Sequence, residues 1–262
     1  MRRAASLVIL AALIVLVVVL VSTGGSPKKK LAGKGTTTTS GPTTTTTAPG
    51  TPPSAPPQTG GTLSAWACPK TNGTSPHILH FPKTQPPMCI DPSKTYTATL
   101  TTTEGTIRFT LDTKHTPETA NNFVVLSLYH YYDGTSIDRI DPSIQIEQTG
   151  SPSTQNIADP GPGYTIKDEG SHYKYQPGDV VMARSSAPNS GAAQYFFVYG
   201  TKASVLDSQG TYVTFGHLTG NSLSVLQKIA ALYEPCPASD TTCLGGAPKS
   251  VVLIHKVTIT AS

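Results

Sequence analysis

Between Gly35 and Thr62 the chain is almost wholly Thr, Pro, Ser, Gly and Ala, with no charge and no large apolar side chain. Such a stretch cannot bury enough surface to offset the entropy of ordering it, so whatever folds must lie on either side of it. It reads as a disordered tether. Its prolines favour a semi-extended path of up to about 3.1 Å per residue where polyproline geometry holds, enough to carry a domain clear of a membrane or into a wall layer. Thr/Pro-rich composition is also that of O-glycosylated stalks.

Upstream of the tether, Ala4 to Val21 is apolar except for Ser6. These eighteen residues, at about 1.5 Å each, span roughly 27 Å, close to the roughly 30 Å core of a bilayer. An N-terminal transmembrane helix is therefore predicted. A cleaved signal peptide is the competing reading: Arg2 and Arg3 supply its basic start, but no A-x-A site follows and the run Leu7 to Val21 is long for such a peptide. The anchor is the preferred reading.

Six of the nineteen Lys+Arg flank this segment (Arg2, Arg3, Lys28, Lys29, Lys30, Lys34), and no acid precedes residue 63. The remaining chain carries 13 basic against 15 acidic groups, or −2, so the overall +4 marks no basic surface for nucleic acid. Lys28 to Lys30 suit anionic head groups or a simple solubilising flank. The positive-inside rule counts four lysines after the span against two arginines before it, and so points the domain inward. Against that, Cys68, Cys89, Cys236 and Cys243 are even in number and fit no C-x-x-C metal pattern, which predicts two disulfides in an oxidising compartment. The expectation is a single-pass cell-membrane protein with an extracytoplasmic domain. Of the three pairings, Cys68 with Cys89 and Cys236 with Cys243 close the shortest loops and are preferred.

These shifts divide the chain into an anchor with basic flanks (1–34), a linker (35–62), a Cys-containing extension (63–94) and a folded domain (95–262). In the last, "TYTATLTTTEGTIRFTLDT" alternates, with Tyr96, Ala98, Leu100, Ile107, Phe109 and Leu111 on one side, which predicts a hairpin turning at Glu104-Gly105. Thr116 as N-cap, Pro117 at the first position and Glu118 in the first turn predict a helix, with Ala120, Phe123, Val124, Ser127 and Leu128 at helical spacing. Strands follow at 135–148, 180–184, 194–199 and 211–216, then a helix at 222–233 and a strand at 250–260. Many short strands with two isolated helices suggest an α+β fold or a closed barrel.

The segments "GTIRFTLDTKHTPETANNFVVLSLYHYYDGTSIDRI", "QTGSP", "PGPGYTIKDE", "GDVVMARSSAPNSGAAQYFF" and "LDSQGTYVTFGHL" occur in the order of a cyclophilin-type peptidyl-prolyl cis-trans isomerase, and the chain resembles that family from about Tyr96 to Ile259. The resemblance implies a mainly β fold, a closed eight-stranded antiparallel barrel capped by two helices, and a monomer that needs no metal or other cofactor. The scattered histidines likewise suggest no metal site. It implies Arg139 as the catalytic residue. It puts Gln194, Phe196, Leu206 and Tyr212 in the substrate site, with Met182, Ala183, Arg184 and Ser185 on the strand that binds substrate backbone. Several positions depart from the family: Asp138 replaces a histidine, Val205 stands where many members have tryptophan, and Tyr212 where many have histidine.

The pattern R-x-x-P-x-F followed by a hydrophobic pair and Q-x-G-D-P becomes "RIDPSIQIEQTGSP", one residue longer, with Ile144 in place of the phenylalanine. Without a gap Glu147 takes the glutamine's place. With a bulge near Ser143 to Gln145, Ile146 lines the pocket and Gln148 takes that place; this is preferred because the downstream turn stays in step.

The chemistry implied is rotation about X-Pro bonds of proline-containing polypeptides, past a barrier of about 18–20 kcal/mol. A guanidinium aimed at the prolyl nitrogen can bond the lone pair that appears only when the amide twists. Taken singly, Phe196 reads as core, and Arg139 as a solvated charge or a partner of Asp138 or Asp141. The alternative to an enzyme is a catalytically weak module that only docks proline-containing segments or an envelope partner.

Overall fold

The computed structural model describes residues 54–240 and 243–262. The predicted anchor, its flanks and most of the tether lie outside the described residues. Among the described residues, no helix is long and apolar enough to cross a membrane.

The strands are β1 (Gly61–Thr62), β2 (Ile78–His80), β3 (Tyr96–Thr102), β4 (Gly105–Leu111), β5 (Thr135–Asp141), β6 (Ile146–Thr149), β7 (Asp179–Met182), β8 (Tyr195–Val198), β9 (Thr214–Leu218), β10 (Tyr233–Pro235), β11 (Gly246–Pro248) and β12 (Val252–Ala261). The helices are α1 (Pro117–Leu128) and α2 (Ser222–Ala230), with a 3-10 helix at Thr201–Ser208. Following the hydrogen-bonded neighbours from β5 through β12, β3, β4, β9, β7 and β8 to β6 returns to β5, because β6 also pairs with β5. Every pairing in this circuit is antiparallel. Eight strands thus close into a barrel with no free edge between them.

Alternation builds the barrel interior. Ala98 and Leu100 from β3, Ile107, Phe109 and Leu111 from β4, and Tyr195 and Phe197 from β8 turn inward, where they meet Phe123 and Val124 of α1 and Leu226 and Ile229 of α2. The β3–β4 turn sits one residue earlier than expected, at Thr103-Glu104, because Thr102 pairs with Gly105. Gly105 has φ 139, and a Cβ there would lie 3.2 Å from Val225, so α2 packs directly over the turn. Helix α1 starts at Pro117 as predicted, but the Thr116 hydroxyl donates to the Asp112 carbonyl at 2.9 Å and does not cap. The amides of Glu118 and Thr119 donate instead to the Glu169 carboxylate, at 3.0 and 2.6 Å, an acid in the first turn favoured by the helix dipole.

Two boundaries fall elsewhere than composition suggests. The last part of the expected tether is ordered: Ala55 is buried, the Gln58 amide donates to the Pro152 carbonyl at 2.8 Å, and β1 pairs in parallel with β2. The Cys-containing extension shares the barrel's core, since Ile78, Leu79 and Phe81 join its interior cluster and Trp66 stacks on Phe81 at 5.4 Å. The cysteines pair as Cys68–Cys89 and Cys236–Cys243. Outside the eight strands, β10 and β11 form a ribbon that joins β5 through Gly246 opposite Ile140.

Candidate active site

The expected single strand over 135–148 is a hairpin of β5 and β6 joined by a turn at residues 142–145, with Gln145 at φ 56. The bulge lies elsewhere: Ile137 pairs with Thr149 and Arg139 with Gln148, so the Asp138–Arg139 pair faces the single Gln148. Ile137 and Ile140 both belong to the interior, and the bulge between them swings Arg139 out onto the opposite face.

On that face Gln148 lies beside Arg139, and Ile146 lies two residues away in an apolar patch with Val181, Phe196, Val198, Ala203 and Tyr175. Ile144, Ala183, Leu206 and Tyr212 pack against this patch and stay partly exposed. Glu147, the alternative occupant of the glutamine's place, points the other way: it is fully buried, and burial pushes its pKa well up against a backbone hydrogen bond from Ala230.

A chain of side chains crosses the strands. Arg139 Nη1 donates to Gln148 Oε1 at 2.9 Å, Gln148 Nε2 to Gln194 Oε1 at 2.8 Å, and Gln194 Nε2 to the Ile157 carbonyl at 3.1 Å. Gln194 just precedes β8, and Phe196 stands opposite Gln148 across the β6–β8 ladder. The Phe196 ring meets Tyr212 edge-on at 5.9 Å, and Tyr212 is fixed by the Tyr175 hydroxyl, which donates to its carbonyl at 3.0 Å and accepts from its amide at 2.9 Å. The guanidinium of Arg139 and the ring of Phe196 therefore belong to one surface.

Arg139 has two further partners. Its Nη2 donates to Asp141 Oδ2 at 2.7 Å and its Nε to the Leu244 carbonyl at 2.8 Å. Burial draws its pKa below the usual arginine range, against the opposing pull of Asp141, yet the group starts so high that it remains a cation. Beside it Asp138 is half-buried with both carboxyl oxygens shielded from solvent, and desolvation raises its pKa to about 7 against the opposing hydrogen bond of Ser151.

Three of the expected substrate-strand residues direct their side chains away from the patch or into other contacts. Met182 lies one step out of phase: it faces the interior cluster, whereas Val181 and Ala183 face the patch. Ser185 is occupied in its own loop, where its amide and hydroxyl both engage Ser190 Oγ, at 3.1 and 2.9 Å. Arg184 is tied to Asp168 at 3.0 Å, with its guanidinium 5.9 Å from the centre of the Tyr212 ring, so it borders the site through that tyrosine. Asp141 is legible as a site residue from its position two along the strand from Arg139, whereas nothing in the sequence signals the Leu244 carbonyl. Two cavities, of about 210 Å³ beside Pro86 and Met88 and about 130 Å³ beside Cys89 and Leu128, share no residue with this surface. Among the described residues no group of three or more His, Cys, Asp and Glu is arranged to hold a metal.

The family described as cyclophilin type peptidyl-prolyl cis-trans isomerase/CLD matches residues 97–259, more than half of the chain. Peptidyl-prolyl isomerase cwc-27 of Neurospora crassa is 33% identical over 168 residues, covering 53% of this chain and 30% of that protein. Probable peptidyl-prolyl cis-trans isomerase B of Mycobacterium leprae is 29% identical over 156 residues, covering 53% of this chain and 50% of that protein. A solved cyclophilin type peptidyl-prolyl cis-trans isomerase of Cryptosporidium parvum aligns with a TM-score of 0.49 and 23% identity, over 64% of this chain and 99% of that one. The chain thus spans half or less of the length of either sequence relative. With the matched residues running from β3 to β12, and so through every strand of the closed barrel, the chain belongs to the cyclophilin-type peptidyl-prolyl cis-trans isomerase family.

Proposed function

We propose that this protein catalyses rotation about X-Pro bonds in exported or surface polypeptides, with Arg139 as the catalytic residue. The observation that carries the reading is the bonded series Arg139–Gln148–Gln194 laid beside the Phe196 patch. Uncatalysed rotation takes tens to hundreds of seconds because the amide loses resonance at its midpoint. There the prolyl nitrogen turns pyramidal and gains a lone pair. Arg139 has five N–H groups, and the Leu244, Gln148 and Asp141 acceptors take three of them, which leaves a proton on each terminal nitrogen to direct at that lone pair. The bond is charge-assisted and exists only in the twisted state, so it lowers the barrier without tightening the ground state.

The ring of the proline would rest on the apolar ground of Ile146, Phe196 and Leu206, rimmed by Ile144, Ala183 and Tyr212, while Gln148 and Gln194 hold neighbouring carbonyls. A protease-coupled assay on an Ala-Pro peptide, with the full chain in detergent, tests this. Arg139→Ala should lower kcat/KM by about 100- to 1000-fold, the range for losing one preorganised donor to a transition state. No rate above background in the wild type would leave the docking module as the function. That second reading is favoured by the Asp141 carboxylate on Nη2, which competes for the fork. If it holds, Asp141→Ala switches isomerisation on.

We place the domain outside the cell membrane on the strength of the Ala4–Val21 run and the paired cysteines. Protease added to intact cells should remove the domain, and protection from it would overturn that placement.

A further inference from the structure

Arg139 is gripped by a part of the molecule that is not one of the eight barrel strands. Leu244, whose carbonyl accepts from Nε at 2.8 Å, lies just before β11, and β11 pairs with β10 as Tyr233 opposite Pro248, Glu234 opposite Ala247 and Pro235 opposite Gly246. The Cys236–Cys243 disulfide closes the tip of this ribbon one residue before Leu244. The ribbon lies hard against β5: a Cβ on Gly245 would stand 2.6 Å from the Ile140 carbonyl oxygen and 3.0 Å from the Asp141 Cα, and Gly245 itself has φ 84. Only glycine permits both that approach and that backbone. The Gly245 carbonyl is in turn held by the Tyr233 hydroxyl at 3.2 Å and the Cys236 amide at 3.4 Å.

The three acceptors on Arg139 have unequal jobs. Gln148 and Asp141 hold the two terminal nitrogens, and with those alone the guanidinium plane can still hinge about the line joining them. A third acceptor on Nε stops the hinge and so fixes where the remaining protons point. Unlike a side-chain acceptor, a main-chain carbonyl is only as fixed as the chain that carries it, and here that chain is a short ribbon tip tied by one disulfide.

We propose that the disulfide-closed ribbon is a positioning element for Arg139, the Leu244 carbonyl setting the plane of the guanidinium, so that turnover depends on the Cys236–Cys243 link while folding does not. This rests on the isomerase reading above. A dithiol reductant would open the link: the S–S bond breaks, two cysteine thiols form, and the reductant closes to its own disulfide. Catalysis by this domain is then strongest where the compartment keeps the link oxidised.

The test compares wild type, the Cys236→Ser/Cys243→Ser double variant and Arg139→Ala, all as full chain in detergent. The double variant should lose about tenfold in kcat with KM unchanged within twofold and still melt cooperatively. In arginine-selective ¹H–¹⁵N spectra its Arg139 Nε–H should shift and lose protection from exchange. In an Arg139→Ala background, opening the link should change nothing further. An unchanged kcat in an active double variant, or a double variant that no longer folds, overturns the positioning role while the isomerase reading stands. A wild type without turnover sinks the isomerase reading instead, and an Nε–H signal that ignores the disulfide then overturns the ribbon's hold as well.

Discussion

The two faces of the wall made by β6, β8 and β7 use the same strands for opposite ends. Inward, Phe197 is 0% exposed and meets Tyr195 at 5.4 Å and Phe109 at 6.1 Å edge-on, and Tyr195 and Phe109 in turn meet Phe123 and Phe215, respectively, edge-on. Outward, Phe196 is 3% exposed but has a single ring neighbour among the described residues, Tyr212, and shares its surface with an arginine and two amides. The inner face is closed upon itself, so every atom there adds to stability. The outer face carries an arginine and two amides beside a patch that is itself buried but rimmed by the partly exposed Ile144, Ala183, Leu206 and Tyr212. One residue along β8 therefore separates a position that should matter for folding from one that should matter for binding.

Phe197→Ala tests the inner side and should have the largest effect. Removing a fully buried ring leaves a cavity whose lining relaxes only in part, at a cost of about 3–5 kcal/mol in urea unfolding. Activity per folded molecule should fall no more than a few-fold, because the outer face keeps its residues. A large loss of kcat with little loss of stability would erase the distinction between the faces.

Asp138 sharpens the comparison, since the bulge brings a desolvated carboxyl next to the outer-face arginine. Its pKa in the folded protein is raised to about 7 from 3.8, chiefly by burial. Stability tied to the protonated form is therefore full below about pH 4, falls as pH rises, and is gone once pH passes through about 7. Asp138→Asn removes that loss. Wild type and variant should have equal stability near pH 4, and above pH 7 the variant should be more stable by roughly 2–4 kcal/mol, since each tenfold change in proton affinity on folding is worth about 1.36 kcal/mol. Parallel stability curves across that range would show that the carboxyl does not carry the burden.

Much of the inner face was legible in the sequence, because burial writes itself as period-two alternation in "TYTATLTTTEGTIRFTLDT" and as the Thr116-Pro117 start of α1. The outer site was legible mainly through family resemblance. Alternation shows that Gln148 and Ile146 share a face, but not that Arg139 lies across from them, since that depends on a bulge at Asp138 that no glycine or proline announces. The side-chain face of Met182 was not legible for the same reason: without the register of β7, the phase of "VVMAR" is ambiguous by one residue, and one residue changes the face. The Glu169 cap of α1 comes from 51 residues away, and the Leu244 hold on Arg139 from 105, through a main-chain atom that every residue possesses. Local patterns do not encode such contacts.

The smallest expected effect belongs to Leu206, on the 3-10 helix that lies over the outer patch, where Ala203 is buried and Leu206 only half-buried. Because its side chain is already partly in water, Leu206→Ala should shift stability by under about 1 kcal/mol, well below the cost at Phe197. A proline ring seated beneath this helix would lose a few methyl-sized contacts, worth about 1 kcal/mol, so KM should rise about fivefold with kcat within twofold of wild type. That split separates the roles within the outer face itself, with apolar residues binding both ground and twisted states alike and Arg139 binding the twisted one. If Leu206→Ala lowers kcat and leaves KM alone, the ring does not sit under this helix, and the patch supports Arg139 without receiving substrate.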